Sequence, residues 1–574
     1  MNRPKPVQPW ELAHNPILRR GLRARLRPKT AIGMGAVVLT VAVFLAAFPI
    51  LTAQNRIGGT PGQGADLALV LLLGFQGILL LLGGTGAAAS GMAKERADNV
   101  LDYQRMTPMP TPTKIVGMLY GLPAREYALA ALVLPVVLYC AAIANVDPFA
   151  LLRFYAVMLL SVAAYHMTGM TAGMIAKRPW RANMIAQGMV VLLYLVLPRL
   201  SFFQLDAFEY LTLLPAAQEF IASQDIRIDG EGLPPPSDVP LFTAAINPTL
   251  FSGVMLGLLL TCLSHVVARR WKDDAANLFG KRFAYLFVAG ACTLATGAFW
   301  PLVEDPNRFL EERGGMGVEA AAVFMLSLHL CLCLGAGMLA VLAAAPDRFA
   351  TIRGDRRRLK LDLPSIGWRR DEATAAPLMA WSAVVIAGAF FILFGLLRSR
   401  PDALDPTPAW SLALAPAGYA VLALFFLGLG REVAGPRGVL LLLFAAWVVP
   451  VLAGILLGGA TENEVLAMYV LSLMPVFGVV LEVSTMVDQA MRFDHSLASE
   501  LGAHRDSVRL FGLVFYGVAS AVLGLLWMRR RSRLFQLAKA SMEGEPSPLA
   551  GLAVTAAGLA QPQDIDQPGN AQGQ

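Results

Sequence analysis

The chain has 574 residues, 56% of them hydrophobic and only 15% charged, with a mean hydropathy of +0.57. A soluble protein of this length needs far more charge to cover its surface, so soluble classes are excluded. The net charge of +7 sits in a few segments between apolar runs, which reads as a membrane-topology signal rather than a nucleic-acid footprint.

About thirty polar, basic residues precede the first apolar run, which is long enough to span and lacks a cleavage site, so no cleavable signal peptide is expected. Within this segment Asn15 can cap a helix whose first residue is Pro16, where a missing N–H is harmless. Ile17, Leu18, Leu22 and Leu26 form an apolar stripe, opposed by Arg19, Arg20, Arg23 and Arg27. That pattern predicts an amphipathic helix lying along the inner leaflet, in contact with membrane lipids.

Apolar length then predicts spans near 31–52, 66–90, 126–145, 150–176, 183–199 and 247–268. A second set lies near 283–303, 317–345, 377–397, 410–430, 438–459 and 510–528. The fold class is therefore an all-α polytopic membrane protein of about twelve transmembrane helices. With the N-terminus inside, most Lys and Arg fall on the cytoplasmic side, notably in 1–30, 346–376 and Arg529 to Arg533. Acidic residues collect opposite, in Asp206–Asp238, Glu304–Glu312 and Glu462–Glu464. Both termini are expected to be cytoplasmic, in a membrane of the bacterial cytoplasmic (inner) type. From about 541 onward the chain turns polar and Pro/Gly/Gln-rich, as a disordered cytoplasmic tail would.

The run Val465 to Val483 would make a thirteenth span and put the Arg529–Arg533 cluster outside, at ~1 kcal/mol per misplaced basic residue near an anionic leaflet. An internal comparison suggests otherwise. Leu211-Thr212-Leu213-Leu214-Pro215 is echoed about 260 residues later by Leu471-Ser472-Leu473-Met474-Pro475. The preceding spans end at Pro198 and Pro450, and the closing spans run into Arg269-Arg270 and Arg529-Arg530. This indicates a tandem duplication of a six-span unit, 31–270 and 281–535, with a re-entrant element before the last span of each. Such irregular backbone is tolerated at membrane depth only when protein or a water-filled cavity covers it.

The most distinctive polar segment is Lys94 to Gly117, after the second span. From Glu95 the helix is expected to continue, with Val100, Leu101, Tyr103 and Met106 as an apolar edge. Met106-Thr107-Pro108 ends it, because a residue before proline is pushed out of the α region. Thr111 then caps a second helix, with Pro112 in its first turn, running to about Tyr120.

The layout resembles the permease subunits of ABC-type exporters of the second class, which move drugs, lipids or polysaccharides. The residues that carry the resemblance are Glu95, Arg96, Val100, Leu101, Thr107, Pro108, Lys114 and Gly117, together with the N-terminal helix Asn15 to Arg27. Asp98-Asn99 stand where the family usually has Gly-Thr, and the second-half loop, Asp347 to Pro377, is basic but scarcely shows the motif. The resemblance implies that Glu95, Arg96, Asn99, Val100, Leu101, Tyr103, Met106, Thr107, Pro108 and Lys114 form a docking loop for a separate ATPase subunit. It also implies an N-terminal helix beside the permease, touching the same partner. ATP and Mg would be bound by that partner, expected as a dimer. No Gly-x-x-x-x-Gly-Lys-Ser/Thr loop is present here, since Phe279-Gly280-Lys281-Arg282 lacks both the upstream glycine and the Ser/Thr. The chain is thus read as a transport subunit, not an enzyme, with no cofactor of its own.

Two other readings draw on other residues. His166, Glu319 and Glu482 are candidate intramembrane polar sites, and such groups are costly enough inside a bilayer to be functional in an ion-coupled secondary transporter. An integral-membrane transferase would use the outer segments around Asp206–Asp238 and Asp494–Asp506. No metal site is expected: His329, Cys331 and Cys333 at i, i+2 and i+4 do not share one helix face. The polar run Asp494-His495 with Glu500, His504 and Asp506 reads as a solvated connection. All five cysteines fall inside apolar runs and are expected as packed, reduced thiols.

Overall fold

The computed structural model describes residues 8, 10–55, 60–176, 178–199, 206–224, 227–228, 231–232, 236–274, 276–304, 318–399, 409–461, 464–491 and 498–542. Twelve helices among these residues are long and apolar enough to cross a membrane. The chain divides into two units, Met1–Leu278 and Phe279–Gln574.

In the first unit a short helix, α1 (Pro16–Arg25), precedes α2 (Pro28–Gln54) and α3 (Pro61–Ala97). Two short helices follow, α4 (Val100–Met106) and α5 (Thr111–Gly121). The next spans are α6 (Ala124–Ile143), α7 (Pro148–Ile175) and α8 (Pro179–Arg199). Then come α9 (Asp206–Glu209), α10 (Leu214–Ser223) and two small antiparallel hairpins, before the span α11 (Pro248–Lys272).

The second unit contains α12 (Lys281–Glu304), α13 (Val318–Ala344), a polar helix α14 (Arg348–Lys360) and α15 (Ala376–Arg398). It continues with α16 (Leu414–Gly435) and α17 (Gly438–Gly458), parted at Gly435, whose φ of 76° breaks the helix. Helices α18 (Glu464–Leu471) and α19 (Pro475–Met491) follow, and the chain closes with α20 (Ala498–Ala540). The run that raised a thirteenth-span question is a helix pair bent by 115° between Leu471 and Pro475, not one straight crossing. Six long apolar helices lie in each unit.

Proline starts most of the first unit's helices, at Pro16, Pro28, Pro61, Pro148, Pro179 and Pro248, each within the first turn. Hydrophobicity does not by itself bring spans together in lipid, so close packing must. The half of α3 after residue 84 shows how. A side chain at Gly173 of α7 would lie 2.5 Å from the carbonyl oxygen of Ala89 and 2.7 Å from Met92 Cβ, and Gly169 abuts Thr85 one turn earlier. Small residues facing small residues let these two backbones touch.

Between its halves α3 contains a π-helical stretch, Ile78–Gly84. Beneath it sits His166, fully buried on α7. Its Nε2 lies 3.0 Å from the Leu80 carbonyl oxygen and its Nδ1 lies 3.1 Å from the Tyr127 hydroxyl. A carbonyl only accepts, so Nε2 carries the proton and Tyr127 donates to Nδ1. Both ring nitrogens of a neutral imidazole are satisfied.

The five cysteines are free, as expected. His329 faces Thr296 at 3.1 Å and Cys333 at 3.6 Å, and no group of three His, Cys, Asp or Glu able to hold a metal occurs among the described residues. Residues 543–574, most of Glu304–Glu312, Glu462 and Asp494–His495 lie outside the described residues, as do the side chains of Glu319, Glu464 and Glu500.

Candidate functional site: the polar loop after the second span

The expected continuous helix from Glu95 to Met106 is interrupted. α3 ends at Ala97, and Asn99 takes a left-handed conformation, φ 56° and ψ 16°, before α4 begins at Val100. Asparagine tolerates this region better than other side chains with a Cβ, so the Asp98-Asn99 pair acts as a swivel where the helix would otherwise run on. The end of α4 is where the sequence places it: Thr107, before Pro108, is extended at φ −69° and ψ 143°. The second helix starts with Thr111 as its first residue. Pro110, not Thr111, is its N-cap, and no side-chain capping bond forms there.

The break changes which residues face outward. Leu101 is 4% exposed, packed with Met92, Ile115, Met118, Val267 and Trp271, so it does not belong to the free apolar edge. Gln104, one turn on, is also buried. Tyr103 and Met106 stand free at 68% and 77% exposure, three residues apart and so on one face. Val100 is half-buried and Asn99 exposed.

Three charged residues fix the inner face. Lys114 on α5 is buried and donates from Nζ to the carbonyls of Gln104 (2.6 Å) and Thr107 (3.0 Å), closing the C-terminal end of α4. Burial holds its ammonium below the ordinary lysine range. Arg105 donates to the carbonyls of Arg270 (3.1 Å) and Trp271 (2.7 Å) at the last turn of α11, and pairs with Asp274 and Asp102, each at 2.5 Å. Burial alone would lower the Arg105 pKa, but the hydrogen bonds and charges of Asp274 and Asp102 overcome it and raise the value. Arg96 donates to the Met174 carbonyl on α7 and lies 3.6 Å from Asp274. The two arginines thus bind the loop to two different spans.

The N-terminal helix completes the assembly. Asn15 caps α1 as the sequence predicts, its Oδ1 accepting from the N–H groups of Ile17 and Leu18, with Pro16 first in the helix. The same side chain is fully buried and donates to the Thr113 carbonyl at 2.8 Å. Along the helix, a Cβ at Gly21 would sit 2.6 Å from the Gly121 carbonyl oxygen, so α1 and α5 pack backbone to backbone. Arg20 pairs with Glu95 at 2.7 Å. The expected stripe is therefore only partly free: Ile17 and Leu18 are half-buried with Ile17 against the loop core, Leu22 is exposed, and Leu26 lies past the helix end at Arg25. The cause is Gly21, which admits α5 to a face that the hydrophobic pattern assigns to lipid.

The second unit holds its own polar loop, α14, differently. Asp347 caps it by accepting from Ala350 N–H at 2.6 Å, and the fully buried Asp355 receives both guanidinium nitrogens of Arg531 on α20. In both units, then, an arginine contact ties the loop after the second long helix to the end of the last one. Arg105 and Asp274 carry this role in the first unit without any local motif to mark them. Their separation of 169 residues hides the pair.

Of the intramembrane candidates, Glu482 is 1% exposed, its nearest charge Arg509 at 3.7 Å, and neither of its carboxylate oxygens has a hydrogen-bond partner among the described residues. Elsewhere in the first unit an apolar cavity of about 480 Å³ opens among α3, α8 and α10, lined by Leu73, Leu81, Val190, Tyr194, Leu213 and Phe220. The apolar helices make this a transporter-like, multi-pass membrane protein. No family model matches the chain, and no curated protein or solved structure matches it either.

Proposed function

We propose that the chain is the permease of an ATP-driven exporter of the ABC type, energised by a separate ATPase subunit. The observation that carries the reading is the two-faced character of α4. Its outer face offers Tyr103 and Met106, an aromatic and a flexible apolar side chain of the kind that anchors protein interfaces. Its inner face is locked by Lys114 to α5 and by Arg105 to the end of α11, so a push on the outer face reaches a span directly. The apolar cavity of the first unit is of the size of a small-molecule site and supports an apolar or amphiphilic cargo.

The test is purification of the tagged full chain from its native membranes, with Mg-dependent ATP hydrolysis followed through the eluate. The wild-type chain should bring down an ATPase subunit, and Tyr103→Asp with Met106→Asp should reduce its yield about tenfold or more, the equivalent of ~1.4 kcal/mol. Equal yields would remove α4 as the docking element.

One observation favours an ion-coupled secondary transporter instead. Glu482, buried with unsatisfied oxygens, is the kind of intramembrane carboxyl that takes up and releases a proton. Transport that follows a proton gradient without ATPase, and is lost in Glu482→Gln, would support that second reading. His166 does not add to it, because its ring is fully engaged, by Leu80 of α3 on one side and by Tyr127 of α6 on the other.

A further inference from the structure

The second unit contains a cavity of about 220 Å³, with charged residues in its wall, where α14 begins, α16 ends and α20 passes. Four arginines line it: Arg348, Arg431, Arg530 and Arg531. Two carboxylates, Asp347 and Glu432, share the lining, but each is engaged by N–H groups. Asp347 accepts from Ala350 N–H at the start of α14, and Glu432 accepts from Ala375 N–H and from the Trp527 indole. Arg531 is spent on Asp355, and Arg530 donates to the uncharged Val433 carbonyl. Arg431 faces the carboxylates of Asp347 and Glu432, whose charges attract it, and Arg348 is exposed at the mouth of the cavity. The lining thus carries four guanidinium groups against two carboxylates, more cationic charge than its own carboxylates offset.

Its place in the fold narrows the ligand. Thr374 in the wall lies just before the span α15, and Gly435 closes the span α16, so the cavity sits at the level where these helices leave the hydrocarbon. Trp527, of a type enriched at membrane–water interfaces, stands in the lining beside Phe349, which is 71% exposed. A guanidinium fork matches the oxygens of a phosphate. Basic pockets between spans at this depth suit anionic head groups. We propose that this cavity binds the phosphate of an anionic phospholipid head group, with Arg431 and Arg530 as its principal donors and Arg348 at the rim.

This inference stands apart from the exporter reading, since it concerns lipid binding and needs no ATPase. The purified full chain, exchanged in detergent with phosphatidylglycerol or phosphatidylcholine, is examined by native mass spectrometry and thermal unfolding. Wild type should retain phosphatidylglycerol preferentially and gain thermal stability from it. Arg431→Gln with Arg530→Gln should lower retention about tenfold, while Arg529→Gln with Arg533→Gln, an equal charge change outside the cavity lining, should leave it unchanged. Should the first pair fail to fold, the single Arg348→Gln on the exposed rim is expected to lower retention in the same direction. Equal retention of the two lipids, or equal loss in the control pair, would overturn the site. Inorganic phosphate giving the same stabilisation as phosphatidylglycerol, removed by the same substitutions, would overturn the lipid as the source.

Discussion

The hydroxyl of Tyr165 donates a 2.7 Å hydrogen bond to the carbonyl of Leu211, the residue that opens the Leu-Thr-Leu-Leu-Pro break before α10. In the second unit Tyr419 donates at 2.7 Å to the carbonyl of Ser472, inside the echoing Leu-Ser-Leu-Met-Pro break between α18 and α19. Both tyrosines lie in the fourth long helix of their unit. Both breaks also carry a hydroxyl that folds back by three residues, Thr212 to the Glu209 carbonyl and Ser472 to the Tyr469 carbonyl, each at 2.7 Å. A chain that turns away from helical bonding among packed apolar helices must find partners for its freed carbonyls, and each unit supplies a tyrosine hydroxyl.

Tyr165→Phe and Tyr419→Phe should therefore each lower the thermal stability of the detergent-purified protein, by about 1 kcal/mol, within the measured spread for interhelical hydrogen bonds in membranes. In the second unit Tyr516 donates at 2.6 Å to the neighbouring Leu473 carbonyl, so Tyr419→Phe with Tyr516→Phe should cost more than Tyr419→Phe alone.

Removing Arg105 leaves the last-turn carbonyls of α11 and Asp274 without their shared donor. For the proposed exporter, Arg105→Ala is expected to abolish transport while an ATPase subunit still co-purifies with the chain, separating docking from transmission. Arg105→Lys should recover little, because one ammonium cannot reach two carbonyls and two carboxylates in the arrangement a planar fork allows. Partner co-purification and transport measured on the same preparations distinguish the two steps.

The contact between α3 and α7 predicts a steric effect. Gly173→Val would drive a branched side chain into the Ala89 carbonyl and Met92, at an expected cost of about 1–3 kcal/mol, the range for overpacking. Gly188 on α8, where an added side chain would meet open space, should accept the same change with little effect on thermal unfolding.

Lys114 gives a pH dependence with a definite sign. Its ammonium is harder to charge in the fold than in the unfolded chain, so folding releases a proton in the window between its lowered pKa and the ordinary 10.5. Stability contributed at this site should rise with pH across that window. The stability difference between wild type and Lys114→Met is expected to shift in favour of wild type as the pH approaches 10.5, read from thermal unfolding at a series of alkaline pH values.

How much of this is legible in the sequence depends on the range of the physics. The twelve long apolar helices follow from apolar length, and the Asn15–Pro16 start and the Thr107–Pro108 stop follow from backbone rules that act over a few residues. The inward turn of Leu101 does not follow, because the left-handed Asn99 resets the phase of α4 and an apolar edge through Leu101 requires an unbroken helix. Nor does the seating of α1 on α5, where the signal is a pair of glycines, Gly21 and Gly121, whose meaning emerges only when their helices meet. The Arg105–Asp274 pair joins distant segments and leaves no periodic trace.

The π-helical stretch Ile78–Gly84 bears on how span two can work. One added residue per turn advances every side chain beyond it around the axis, so the two halves of this span are set to different neighbours: the first half to α2 and α6, the second to α7 and α8. The span is therefore two differently packed segments on a single axis, joined where the backbone bonding passes through a π-helical turn and where one imidazole grips the joint.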